Sequence, residues 1–143
     1  MEKVEKQPDK IEILLIGKTG SGKSLLGNFL LGFNAFIVSD NPESETTITV
    51  KKQRENIEVI DTPGLADSKG RDNEHYEEMI KYIKTLENLN SILLVMNCQD
   101  TRFDEGIQTM LKKYVMFFIL KPSKTLDLYL LNIFQIKNVR KIK

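Results

Sequence analysis

Apolar positions along this chain fall into blocks whose internal spacing alternates between that of a strand and that of a helix. Ile11–Ile16 is nearly all apolar, the pattern of a strand covered on both faces. Leu25 and Leu26, then Phe29, Leu30 and Leu31, recur at helical spacing, and Gly32 is placed to cap the end of that helix. Residues 34–44 carry Asn, Asp, Pro and Ser and predict a surface loop. Two short strands are expected over 46–52 and 56–60, with 53–55 as the turn between them. The polar, glycine-containing stretch 61–73 predicts a mobile loop. Tyr76, Met79, Ile80, Ile83 and Leu86 mark a helical face, 91–96 a buried strand, and Ile107, Met110, Leu111 and Tyr114 a second helix starting near Asp104. Residues 115–120 are apolar and short enough to be a further strand. The apolar stretch 126–134 ends in a basic run, Lys137, Arg140, Lys141 and Lys143, and reads as a packing helix with a solvated end or as a piece lying on a membrane surface. The alternation predicts an α/β fold, a mostly parallel sheet with helices on both faces, in which ligands bind beyond the carboxyl ends of the strands.

Composition narrows the picture without naming a chemistry. At 143 residues, 41% hydrophobic and 29% charged, the chain has the make-up of one soluble globular domain. A net charge of +1 gives no ground for a nucleic-acid partner. The lone cysteine, Cys98, follows an apolar run and is expected to be a small residue at the core edge in a reducing compartment. Residues 1–10 are charged, include Pro8 and lack the pattern of a secretory signal, so a flexible arm is expected there. No apolar stretch approaches the length of a membrane span. The expectation is a cytoplasmic protein.

Chemistry enters at Gly17-Lys18-Thr19-Gly20-Ser21-Gly22-Lys23-Ser24, which fits G-x-x-x-x-G-K-[ST] between a predicted strand and a predicted helix. Glycines at 17, 20 and 22 let the backbone curl so that successive N–H groups point inward as an anion nest, and the following helix directs its positive end to the same point. Lys23 is placed to reach the β- and γ-phosphates, and the Ser24 hydroxyl to bind Mg²⁺. The second motif, Asp61-Thr62-Pro63-Gly64, follows the strand expected over 56–60. A carboxylate there can hold Mg²⁺ beside Ser24, and Gly64, without a side chain, can bring its N–H to the γ-phosphate. Between the motifs Thr46 and Thr47 are candidate hydroxyl ligands of the same ion, with Thr46 preferred. Both also suit a β-branched strand start.

These residues resemble the AIG-type G domain, a family that includes the immune-associated nucleotide-binding GTPases and is related to septins and chloroplast-envelope import GTPases. The resemblance runs from Ile13-Leu14-Leu15-Ile16-Gly17 through Gly22-Lys23-Ser24 and Val59-Ile60-Asp61-Thr62-Pro63-Gly64-Leu65. It continues in Ser91-Ile92-Leu93-Leu94-Val95 followed by Thr101-Arg102-Phe103-Asp104-Glu105, which looks like the family's own box. It implies a P-loop G-domain fold, GTP and Mg²⁺ as ligands, and nucleotide-dependent pairing into a homodimer. The implied nucleotide site comprises Gly17, Lys18, Thr19, Gly20, Ser21, Gly22, Lys23, Ser24, Leu25, Thr46, Asp61 and Gly64, with Ser24, Thr46 and Asp61 on the metal. The implied organisation is an arm over 1–10, a partial G domain over 11–114 and a divergent tail over 115–143, the last part of the fold being missing or replaced.

Two departures set limits on activity. The polar-x-x-Asp element that reads guanine has no counterpart after 115–120, and Asp127 is the only acidic residue beyond Glu105. The position after the D-x-x-G motif, where efficient GTPases carry a water-orienting glutamine, is Leu65. Arg71, Arg102 and the sole histidine, His75, are candidates for compensating charge or are solvated surface residues. Two function classes follow: a slowly hydrolysing GTP-binding switch, or an incomplete nucleotide-binding domain that acts as a non-selective or inactive interaction module.

Overall fold

The computed structural model describes residues 9–38, 48–64, 72–86, 89–97, 105–120 and 132–136. In chain order they form β1 (Ile11–Ile16), α1 (Lys23–Leu31), β2 (Val50–Arg54), β3 (Ile57–Asp61), α2 (Asp72–Lys84), β4 (Leu89–Asn97), α3 (Glu105–Leu120) and β5 (Asn132–Ile136). The five strands make one sheet in the order β2-β3-β1-β4-β5. β1 pairs in parallel with β3 and β4, and β5 in parallel with β4, while β2 runs antiparallel to β3 along one edge. The mostly parallel α/β sheet expected from the alternation is therefore present.

Side chains alternate across the sheet and build a core on each face. Leu14, Ile16, Ile60 and Leu94 point to one side, where Met79 and Ile83 of α2 and Ile107 and Leu111 of α3 cover them. Leu15, Val59, Leu93 and Val95 point to the other, where Leu26 and Leu31 of α1 and Phe36 cover them. Burial on both faces explains why β1 is apolar from Ile13 to Ile16. α1 stops at Gly32, whose N–H closes on the carbonyls of Asn28 (2.8 Å) and Phe29 (3.2 Å), the cap that the sequence predicts. Beyond it the chain is pinned by one side chain. The buried Asn28 Nδ2 donates to the Phe36 carbonyl (2.9 Å) and its Oδ1 accepts from the Phe36 N–H (2.7 Å), which seats Phe36 in the core.

Three expectations are corrected. Residues 115–120 are not a strand: they complete α3, because a six-residue apolar run does not distinguish strand from helix and no glycine or proline interrupts 107–120. The segment expected as a packing helix over 126–134 instead contributes β5 at 132–136, which satisfies the backbone of the outer half of β4 from Leu93 to Asn97. The turn between β2 and β3 is Glu55 and Asn56 rather than 53–55, since Gln53 and Arg54 still pair with Glu58 and Ile57, and Glu55 makes the reversal at φ 52°. β2 is an exposed edge strand, and after Val50 its residues are polar, so the strand expected over 46–52 is found but its end at Arg54 is not marked by the sequence.

At the amino ends of the central strands, the buried carboxylates of Glu12 and Glu58 sit side by side in the β1–β3 register. Lys10 Nζ bridges them at 3.4 and 2.9 Å, and Lys51 reaches Glu58 at 3.3 Å. The hydrogen bond to Glu58 raises the pKa of Lys10 above its ordinary value.

Asn28→Ala strips both partners from the Phe36 backbone, and a buried unsatisfied peptide group costs about 1–3 kcal/mol. The expected result is a fall of about 2 kcal/mol in unfolding free energy, measured by urea denaturation, with the slope unchanged. An unaltered midpoint would contradict this role for Asn28.

Candidate functional site

The site lies where β1 and β3, neighbours in the sheet, release their chains at the same end. From Ile16 the chain turns through Gly17 to Gly22 and enters α1 at Lys23. Gly22 occupies the N-cap position in the left-handed region (φ 96°), which a side chain would strain, and no side chain caps the helix. The first-turn amides of α1 are thus left to the loop that surrounds them, with no acidic residue in that turn to counter the positive helix end.

Within the loop, Gly17 and Ser21 are buried, Lys18 and Gly22 half-buried, and Thr19 and Gly20 exposed. The Ser21 hydroxyl is enclosed and has no hydrogen-bond partner among the described residues. Lys23 is buried, and its ammonium donates to the carbonyls of Gly17 (3.1 Å) and Lys18 (2.7 Å), folding back over the loop. Burial lowers its pKa from 10.5 to about 8, against the opposing pull of the Asp61 carboxylate. An anion in the loop would meet a cation already stripped of water. Leu25, two positions further along the helix, is half-buried.

From β3 comes Asp61, buried, with Oδ2 accepting the Ser24 hydroxyl at 2.5 Å. The two sequence motifs are therefore in direct contact. Gly64 packs against Thr19: a Cβ at position 64 would collide with the Thr19 hydroxyl and lie 2.5 Å from its backbone nitrogen and Cα. Glycine is required there because the D-x-x-G segment presses on the phosphate loop itself. Thr62, which the sequence reading left without a role, is fully buried and its Oγ1 donates to the Leu15 carbonyl at 2.7 Å. Its signal was a hydroxyl residue just past a buried strand.

Two adjacent oxygen donors, a serine hydroxyl and one carboxylate, fit a small hard cation that keeps several waters and takes its other ligands from phosphate oxygens. Among the described residues no group of three or more His, Cys, Asp and Glu side chains could hold a metal by itself. Thr46, Thr47, Leu65, Arg71, Cys98 and Arg102 lie outside the described residues, as do residues 1–8. His75 lies on α2, and only its backbone is described. No helix among the described residues is long and apolar enough to cross a membrane.

The depressed pKa of Lys23 gives a proton linkage. Phosphate would restore the ammonium, so triphosphate binding should take up about half a proton at pH 8 and almost none near pH 6.5. Affinity should fall as pH rises through 8. In the nucleotide-free protein the sign reverses: the unfolded chain binds the extra proton between pH 8 and 10.5, so this residue makes stability rise across that window. Calorimetry in buffers of different ionisation enthalpy measures the uptake, and zero uptake at pH 8 would contradict it.

A family model described as the AIG1 family matches residues 11–121. GTPase Der from Vibrio parahaemolyticus is 32% identical over 111 residues, covering 74% of this chain and 22% of that protein. Immune-associated nucleotide-binding protein 9 from Arabidopsis thaliana is 34% identical over 108 residues, 71% of this chain and 31% of that protein. The chain thus spans under a third of either relative. Among solved structures, Toc33 from Arabidopsis thaliana in complex with Mg²⁺ and GMPPNP superposes with a TM-score of 0.60 at 23% identity, over 76% of this chain and 45% of that one. A second structure, from work on the importance of dimerization for the GTPase activity of the chloroplast translocon components Toc33 and Toc159, gives 0.62 at 26% identity with the same coverage. With the fold of a P-loop G domain and a family match across most of its length, this chain belongs to the AIG1 family.

Proposed function

We propose that this chain binds GTP together with Mg²⁺ and acts as a slowly hydrolysing, nucleotide-controlled switch. The observation that carries the reading is the contact between Ser24 and Asp61 at 2.5 Å beside the buried Lys23 ammonium. It brings a phosphate-binding loop and a metal-binding carboxylate to one point. Gly17 to Leu25 would cradle the phosphates, Ser24 and Asp61 would hold the ion, Gly64 would sense the γ-phosphate, and Thr46 would complete the metal shell. When bound, Mg²⁺ would neutralise charge on the β- and γ-phosphates. The names of the relatives and the Mg²⁺–GMPPNP complex of Toc33 support guanine nucleotide as the ligand.

Hydrolysis is proposed to be slow because Leu65 cannot orient a water. The Toc33 and Toc159 work supports pairing of G domains as a source of missing charge, with Arg71, Arg102 or His75 as donors. Turnover per protein should then climb with protein concentration in a phosphate-release assay, from a floor at or below roughly 10⁻³ per second. A fast rate independent of concentration would contradict this part.

One observation favours a second reading, a phosphate-binding module that selects its base poorly. The strand beside β4 is β5, and residues 137–143 that follow it contain no acidic side chain to accept the guanine N–H groups. A site that reads guanine with a buried carboxylate rejects adenine strongly. One that touches only phosphates and metal does not.

Calorimetric titration with GTP and ATP in Mg²⁺ tests both readings. Binding to both within about ten-fold of each other is expected. Lys23→Ala should weaken triphosphate binding about ten- to a hundred-fold, the scale of one lost charge-assisted contact. Unchanged affinity in that variant would mean the loop does not hold phosphate.

A further inference from the structure

We infer that Thr62 is a positioning residue, whose buried hydroxyl sets the metal-dependent part of nucleotide affinity by fixing Asp61 and Gly64 against the phosphate loop. The inference rests on the nucleotide-binding reading and adds to it a role that neither motif assigns.

The parallel ladder between β1 and β3 ends at the pair Leu15↔Asp61. Past Asp61 no strand pairing holds the chain, yet Gly64, three residues on, must lie against Thr19. Thr62 supplies the missing link. Its Oγ1 donates to Leu15 O at 2.7 Å, across 47 residues of sequence, from a side chain with 0% exposure. Leu15 is separated from Gly17 by one residue. A single hydrogen bond therefore joins the residue after the metal carboxylate to the strand that delivers the phosphate loop.

Its removal would act unevenly. The loop's own contacts, Lys23 Nζ on the Gly17 and Lys18 carbonyls and the start of α1 at Gly22, do not pass through Thr62. The approach of Gly64 to Thr19 does, since Gly64 lies past the ladder on the segment that the hydroxyl anchors, and the Asp61 carboxylate, at the last pair of the ladder, takes its aim at Ser24 from the same anchored backbone. In the valine variant the side chain fills the place of the hydroxyl, so no room is left for a water to replace the bond. A displacement of an ångström at a binding carboxylate is costly, because ion coordination falls off steeply with geometry.

The test measures the Kd for GTP by calorimetry in Mg²⁺ and in EDTA, for the wild type, Thr62→Val and Thr62→Ser. Valine keeps the volume without the donor, and serine keeps the donor. Thr62→Val should lose about ten-fold or more of its affinity in Mg²⁺ and a clearly smaller factor in EDTA, where only the Gly64 contact to the γ-phosphate is weakened. Thr62→Ser should restore the Mg²⁺ effect. Thermal unfolding monitors each variant, and Thr62→Ala takes the place of the valine variant should that one not fold. A donor-less variant that keeps the full Mg²⁺ effect, or that loses both affinities equally, would overturn the inference while leaving the nucleotide reading intact. A wild type without any Mg²⁺ effect would overturn both.

Discussion

The register of β1 on β3, which sets Leu15 beside Asp61, is the constraint on which the rest of the structure depends. Two parallel neighbours end at the same level, so the loops that leave them meet without any long-range adjustment of the chain. One loop turns into α1 and presents its open amides, Lys23 and Ser24. The other carries Asp61 and Gly64 into contact with it at Ser24 and Thr19. A slip of one residue would send Asp61 to the opposite face of the sheet. At the far end of the same pair, Lys10 clamps Glu12 to Glu58, so the register is held at both ends by polar contacts and between them by an apolar core.

Among the described residues, the buried polar side chains fall into three groups. Glu12 and Glu58 lie at the amino ends of the strands and are neutralised by lysines. Asn28 lies at the end of α1 and satisfies the Phe36 backbone. Ser21, Lys23, Asp61 and Thr62 gather at the carboxyl ends, where polar burial costs stability unless a ligand or partner satisfies it. Lys23 illustrates the cost. Among the described residues its ammonium has the Gly17 and Lys18 carbonyls as hydrogen-bond acceptors, and its burial lowers its pKa. A bound phosphate would offset that cost.

Sequence alone revealed what is contiguous and concealed what is not. The phosphate loop spans eight adjacent residues, and each glycine or charged position states its own requirement. Asp61 and Gly64 were legible because their short motif follows a buried strand. Thr62 and Asn28 were missed, since both act by hydrogen bonds to backbone groups that no spacing rule pairs with them: 47 residues away in one case and eight in the other. The Glu12–Glu58–Lys10 clamp was missed for the same reason. The second half of the chain was misjudged where short apolar runs suit strand and helix equally. Residues 115–120 extend α3, and 132–136 pair with β4, because the amphipathic helix already in progress and the unsatisfied strand edge decide what the runs themselves leave open.

The central claim is that the loop from Gly17 to Ser24 and the segment from Asp61 to Gly64 form one phosphate and metal site. Amide hydrogen exchange, followed residue by residue with and without Mg²⁺ and GTP, tests it most directly. The account predicts that the amides of residues 18–25 and of Asp61, Thr62 and Gly64 gain protection together when both ligands are added, while the exposed edge strand β2 is unchanged. Protection confined to one segment, or absent from both at saturating GTP and Mg²⁺, would contradict it.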